Sequence, residues 1–203
     1  MRLKILLRRA PFIAAFTGFA LFATLLFYFI PQNEFVVDNV VVAPSKEQVS
    51  LSEGQGLGSP IRLKIPKINV DAAVEYVGLT PDGAMDVPKS QDDVAWYEPG
   101  TRPGEKGSAV IAGHYGWKGG EPSVFDSLYT LRKGDKLTIE DDKGEIITFV
   151  VRESRRYDPN VDASDVFGSS DGKAHLNLVT CEGEWDEVSQ SYSKRLVVFT
   201  DKE

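Results

Sequence analysis

Cysteine is almost missing from this sequence: Cys181 is the only one among 203 residues. A single thiol forms no internal disulfide, so the chain must be held together by its core alone. Histidine is scarce too. Only His114 and His175 occur, and none of the paired ligand spacings of a zinc site is present, so no metal is expected. Basic charge is thin after the first thirty residues. All four charges in residues 1–30 are positive, which leaves residues 31–203 with a net charge of −11. So acidic an exterior argues against nucleic acid and against a second electrostatic grip on anionic lipid. No internal repeat is visible. Roughly 145 residues beyond a linker suffice for one domain with its own core.

Charge is absent altogether from residues 10–30, APFIAAFTGFALFATLLFYFI. At about 1.5 Å per residue this run makes a helix of roughly 31 Å, close to the thickness of a hydrocarbon core. Arg2, Lys4, Arg8 and Arg9 stand before it, and Glu34 and Asp38 follow. That asymmetry predicts a cytoplasmic N-terminus, one crossing of the cell membrane, and everything after Ile30 outside. The run is longer than a signal-peptide core and no clear A-x-A site follows it, so an uncleaved anchor is expected. Residues 1–9 are then a basic cytoplasmic segment, 10–30 the anchor, 31–59 an extracellular stalk ending in Gly, Ser and Gln, and 60–203 the working domain.

That domain reads as mostly β. IRLKI (61–65) alternates with period two, VDAAVEYVGL (70–79) ends at the turn TPDG, and KLTIE (136–140) and EIITFVVRE (145–153) flank DDKG. GSAVIAGH (107–114), HLNLVT (175–180) and RLVVFT (195–200) complete at least seven short strands. PSVFDSLYTL (122–131) is the best helix candidate, with Ser123 as its cap and Val124, Leu128 and Leu131 on one face. Such a pattern predicts a closed or nearly closed barrel with one or two short helices and long loops at 82–106, 154–174 and 182–194.

Three residues stand out at strand rims. His114 follows AVIAG, Cys181 follows LNLVT, and Arg195 opens RLVVFT. Taken singly, a strand cysteine is usually a small buried hydrophobe and a loop histidine often has no task. Together their chemistry is complementary. A thiolate is a nucleophile, a neighbouring imidazole supports it and returns a proton to a leaving amine, and a guanidinium holds a carbonyl or developing oxyanion. That set describes acyl transfer through a thioester, which requires no cofactor.

Here the sequence resembles the sortases, membrane-anchored cysteine transpeptidases of Gram-positive surfaces. IAGHYG, LVTC and the arginine fourteen residues after the cysteine carry the resemblance, and the stretch from IPKINV to IAGH is most similar to class F, with classes D and E close. The resemblance implies an eight-stranded β-barrel and a His114, Cys181 and Arg195 site. It also implies substrates that bear a C-terminal sorting motif like Leu-Pro-x-Thr-Gly, and an amine acceptor from peptidoglycan or a pilin. Asn177 stands where many sortases have a threonine, while Thr180 matches.

Thr180 is read equally as packing and as a substrate contact. Trp117 and Trp185 are candidate walls of a peptide groove, and His175 is read as structural. Glu182, Glu184 and Asp186 are less expected beside a thiolate, because carboxylates raise a thiol pKa. A peptidase releasing peptides to water and an inert surface binding module are the alternatives; the second leaves the three rim residues unexplained.

Overall fold

A computed structural model describes residues 56–117, 120–159 and 161–203. The expected segments 1–9 and 10–30, and the stalk up to residue 55, lie outside the described residues. Among those described, no helix is long and apolar enough to cross a membrane.

Eight strands form: β1 (Pro60–Ile65), β2 (Val70–Val77), β3 (Val94–Tyr97), β4 (Gly107–Gly113), β5 (Lys136–Asp141), β6 (Ile146–Tyr157), β7 (Ala174–Asp186) and β8 (Ser191–Lys202). They close into a barrel in the order β1-β2-β3-β4-β7-β8-β6-β5, with β2/β3 and β4/β7 parallel and the other pairs antiparallel. Alternate residues of each strand fill the interior, among them Leu63, Ile65, Leu137, Ile139, Phe149, Leu176, Leu178, Leu196 and Val198.

The intervening residues of β4, β7 and β8 face the other way, yet they are buried as well. Val110, Ala112, Val179, Val197 and Phe199 form a second apolar cluster with Ala163 and Val166, from the connection between β6 and β7. Val166 lies in its one short helix, α1 (Ser164–Phe167). Two-sided burial explains why AVIAG reads as a run rather than as alternation.

Three expected loops contain regular structure. β3 lies inside 82–106, and its VAWY core is too short to show a period. β6 runs on to Tyr157 and α1 follows within 154–174. The stretch 182–194 is mostly strand, because β7 and β8 continue past Cys181 and Arg195 as a hairpin, paired out to Asp186 and Ser191. A bulge between Glu182 and Trp185 interrupts that pairing. Gly183 takes φ +89° there, and any Cβ would collide with Ser193 Oγ, so glycine is required.

The α-helix expected at 122–131 is absent. Asp126 N–H bonds to Ser123 O, Leu128 N–H to Phe125 O and Leu131 N–H to Leu128 O, all three residues back, and a 3₁₀ turn covers only Leu128–Thr130. Buried Phe125, Leu128 and Leu131 recur every third residue, which suits 3.0 residues per turn better than 3.6. Ser123 does not cap anything. Asp126 does the capping instead, accepting from Ser123 N–H at 3.0 Å.

Candidate active site

Strand register gathers the three rim residues. Parallel β4 and β7 set Ala112 beside Val179, and the same offset carried two residues further sets His114 beside Cys181. Between these steps Thr180 Oγ1 donates to Gly113 O at 2.8 Å, which fixes the two strand ends to each other. Antiparallel β7 and β8 place Cys181 opposite Arg195. Histidine, cysteine and arginine thus form one row across three adjacent strands. By alternation the row shares its face with Ala112, Val179 and Val197, at the end of the outer apolar cluster.

Each member is held differently. The His114 ring meets Pro88 O through Nε2 at 2.8 Å and packs edge-on against Trp117, with ring centroids 4.7 Å apart. Its backbone carbonyl accepts from Phe125 N–H. Phe125 lies so close to the strand that a side chain at Gly113 would strike its ring, which accounts for the glycine before the histidine. Asp126 joins the turn after His114 to the 122–128 segment, accepting from Gly116 N–H at 2.7 Å as well as from Ser123. Cys181 is half-buried.

Arg195 is 1% exposed. Its Nη1 donates to Tyr192 O and Lys194 O and its Nη2 to Ser191 Oγ, all at 2.9 Å. Neither Asp186 nor Glu187 pairs with it. Buried Nε has no hydrogen-bond partner. Lys194 points elsewhere, to an ion pair with Asp158.

The acidic run after the cysteine is largely committed. Glu182 accepts from Arg156 Nε and Nη2 at 2.6 and 2.9 Å, and Asp186 accepts from the N–H groups of Val188 and Ser189. Two of the three carboxylates therefore serve the scaffold.

Trp185 sits on β7, not in a loop. With Gly116, Trp117 and Tyr192 it lines a groove of about 350 Å³. Tyr192 meets Trp185 and Tyr115 edge-on at 5.2 and 5.3 Å. Burial raises the Tyr192 hydroxyl above its ordinary value, and negative charge on Cys181 adds to the rise. Thr180, read from the sequence both as packing and as a substrate contact, is buried, and its hydroxyl donates to Gly113 O, so its side chain braces the strand ends. His175 lies six residues below the cysteine, 3% exposed, with Nδ1 2.8 Å from Asp201 and Nε2 3.0 Å from Asp171.

Sequence reasoning missed Tyr192, Pro88 and Asp126. Tyr192 was hidden by the bulge: regular extension from Cys181 and Arg195 sets it against Glu184, and the extra residue moves its partner to Trp185. Pro88 and Asp126 act through a backbone carbonyl and backbone N–H groups, for which no side-chain pattern exists.

Comparison with known proteins agrees with this fold. Residues 63–203 match the Sortase domain family. Similar solved structures include sortase C-1 from Actinomyces oris, at 22% identity and a TM-score of 0.57 over 71% of this chain and 75% of that one. Sortase C1 of Streptococcus agalactiae, in complex with MTSET, matches at 25% identity and 0.55 over 70% and 66%. A lid mutant of sortase A from Corynebacterium diphtheriae matches at 19% identity and 0.56 over 73% and 72%. No curated protein matches in sequence. With the domain match covering well over half of its length, the chain belongs to the sortase family and is an enzyme of the sortase transpeptidase type.

Proposed function

We propose that Cys181 is the nucleophile of a transpeptidation in which His114 carries the proton and Arg195 holds the substrate carbonyl. The row His114–Cys181–Arg195, set by register across β4, β7 and β8, carries this reading. The thiolate attacks the carbonyl carbon of the scissile amide, and the carbonyl oxygen takes up the electron pair as an oxyanion. The tetrahedral adduct collapses, the C–N bond breaks, and the His114 imidazolium protonates the departing amine. A thioester remains on Cys181. An acceptor amine then attacks it, loses a proton to His114 and expels the thiolate. No cofactor enters the balance.

Arg195 suits the oxyanion role because the hairpin takes three of its five N–H hydrogens and fixes the guanidinium, which leaves Nε–H and one Nη2 hydrogen for the oxyanion with little reorganisation. The aromatic wall at Trp117, Trp185 and Tyr192 supplies an apolar face for an extended peptide. The substrate is a surface protein with a sorting motif like Leu-Pro-x-Thr-Gly, and the acceptor is an amine of peptidoglycan or a pilin. Residues 10–30 hold the enzyme in the cell membrane with the barrel outside, and the stretch from IPKINV to IAGH supports a class F assignment. The motif and the anchor rest on the sequence.

Incubating the chain with a sorting-type peptide, with and without a diglycine acceptor, tests the reading. The wild type should form a hydroxylamine-sensitive acyl-enzyme and an amine-dependent product. Cys181→Ala should form neither while keeping its unfolding midpoint; cleavage by that variant would remove the thioester.

A further inference from the structure

Among the described residues, His114 has no carboxylate partner. Asp126, the nearest acid in its turn, has both oxygens on the backbone N–H groups of Gly116 and Ser123. Among the described residues the ring's one hydrogen bond is to a backbone oxygen: Nε2 lies 2.8 Å from the carbonyl of Pro88, 26 residues earlier in the chain. Carbonyl oxygens only accept, so Nε2 carries the hydrogen both before and after a proton moves. That leaves Nδ1 as the nitrogen free to exchange a proton.

The carbonyl is itself fixed. Pro88 is buried and has no N–H to compete for partners. The next residue, Lys89, donates its N–H to Glu75 Oε1 on β2 at 2.9 Å. On one side Asp86 N–H bonds to Gly78 O and Met85 sinks into the outer apolar cluster; on the other Gln91 O accepts from Val124 N–H. Val124 adjoins Phe125, whose N–H holds the His114 carbonyl. The segment 85–91 is thus anchored at both ends, and at its Gln91 end it shares the 124–125 anchor with the histidine.

We infer that this segment does for His114 what an orienting carboxylate does elsewhere, with Pro88 O setting the ring as an Nε2–H donor and Glu75 as a positioning residue that keeps that carbonyl in line. The inference rests on the catalytic reading of His114. It assigns Nδ1 as the atom that receives the thiol proton and delivers it to the leaving amine. Substituting a carbonyl for a carboxylate orients the ring without adding a full negative charge beside the thiol. The charged groups around the ring are then Asp126, committed to backbone, and Cys181 and Arg195 across β7 and β8. Glu75, Asp86 and Lys89 lie beyond Pro88.

The chain has only two histidines, so ¹⁵N-histidine labelling of the full-length protein gives two imidazoles, assigned with a His114→Gln variant. The wild type should show neutral His114 with a protonated Nε2 and a bare Nδ1. Glu75→Ala should mix the tautomers and lower kcat at least tenfold, well short of the roughly 10⁴ lost when a catalytic histidine is left in the wrong tautomer. Glu75→Gln should restore both, since an amide oxygen accepts from Lys89 N–H as well as a carboxylate does. A protonated Nδ1 in the neutral wild type overturns the inference, whatever the variants do. So does an Ala variant with unchanged tautomer and kcat, or a Gln variant as impaired as Ala. If Cys181→Ala still cleaved peptide, the catalytic reading would fail while the tautomer result stood by itself.

Discussion

The two histidines of this chain lie at neighbouring strands of one barrel, His175 on β7 and His114 just past the end of β4, and are bonded in opposite ways. His175 has both ring nitrogens within 3.0 Å of carboxylate oxygens and is almost fully buried, tying the start of β7 to Asp201 on β8 and to Asp171 in the β6–β7 connection. His114 has one nitrogen on a neutral carbonyl and is half-buried at a rim. A ring with both nitrogens committed transfers no proton without breaking the structure around it. A ring held at one end is oriented and still has a nitrogen to use. The number of commitments separates a strut from a reagent more sharply than burial does.

Replacing each histidine is the sharpest way to break that comparison. His114→Ala should lower kcat/KM by about 10²–10⁴, the range for losing a positioned acid–base group, with an unfolding midpoint near wild type. The reverse is expected of His175→Ala: a cost in stability and near-normal turnover in the folded fraction. If His175→Ala abolished turnover of folded protein, the division of roles would be wrong.

Arg195 comes next. It resembles His175 in commitment, with three hydrogen bonds to its own hairpin, yet it lies opposite the thiol. Arg195→Lys loses the planar fork that meets Tyr192 O, Lys194 O and Ser191 Oγ together, and should lower turnover by about 10²–10³. Alkylation of Cys181 by a small reagent should change far less. Lys194→Ala, next in sequence but directed at Asp158, serves as the control and should stay near wild type. Retained activity in Arg195→Lys would show that a point charge suffices.

On the structural side, His175→Ala removes two charge-assisted hydrogen bonds from a buried site and should cost about 2–3 kcal/mol, read as a shift of the denaturant midpoint.

The smallest effect concerns pH. The hydrogen bond from His175, then those from Lys173 N–H and Ser169 Oγ, hold the Asp171 carboxyl well below its ordinary value. A folded value lower than the unfolded one adds stability above about pH 3.9, lost as pH falls through the folded value. Asp171→Asn should therefore flatten the acid limb of the stability profile and leave its alkaline side alone. An unchanged acid limb would place the linkage at another carboxylate.

The site was easier to read in the sequence than the elements that support it. Cys181, His114 and Arg195 each end or begin an apolar run, so the strands that position them announced themselves. β3 did not, because VAWY has four residues and three of them are buried. The hairpin beyond Cys181 was hidden by its polar residues, which pair through backbone groups that are the same for every side chain. At 122–131 the apolar spacing was real but belonged to tighter turns. Pro88 escaped for a more basic reason: its contribution is a carbonyl, which every residue possesses.

Strand direction has a practical consequence for attaching the protein to anything. β7 climbs from Ala174 to Cys181, and β8 descends from Arg195 to Lys202. Lys202 pairs with Phe149 near the start of β6, and Pro60 at the start of β1 pairs with Asp141 at the end of β5. Both ends of the described barrel thus leave it on the side away from the thiol. Asp141 closes that side, its buried carboxylate accepting N–H groups of Gly58, Lys143 and Glu145. A tether joined at residue 56, at residue 203 or at both leaves the groove facing outward. A surface coated through either terminus should present every copy of the enzyme in a working orientation, and a handle placed on the β7–β8 turn should not.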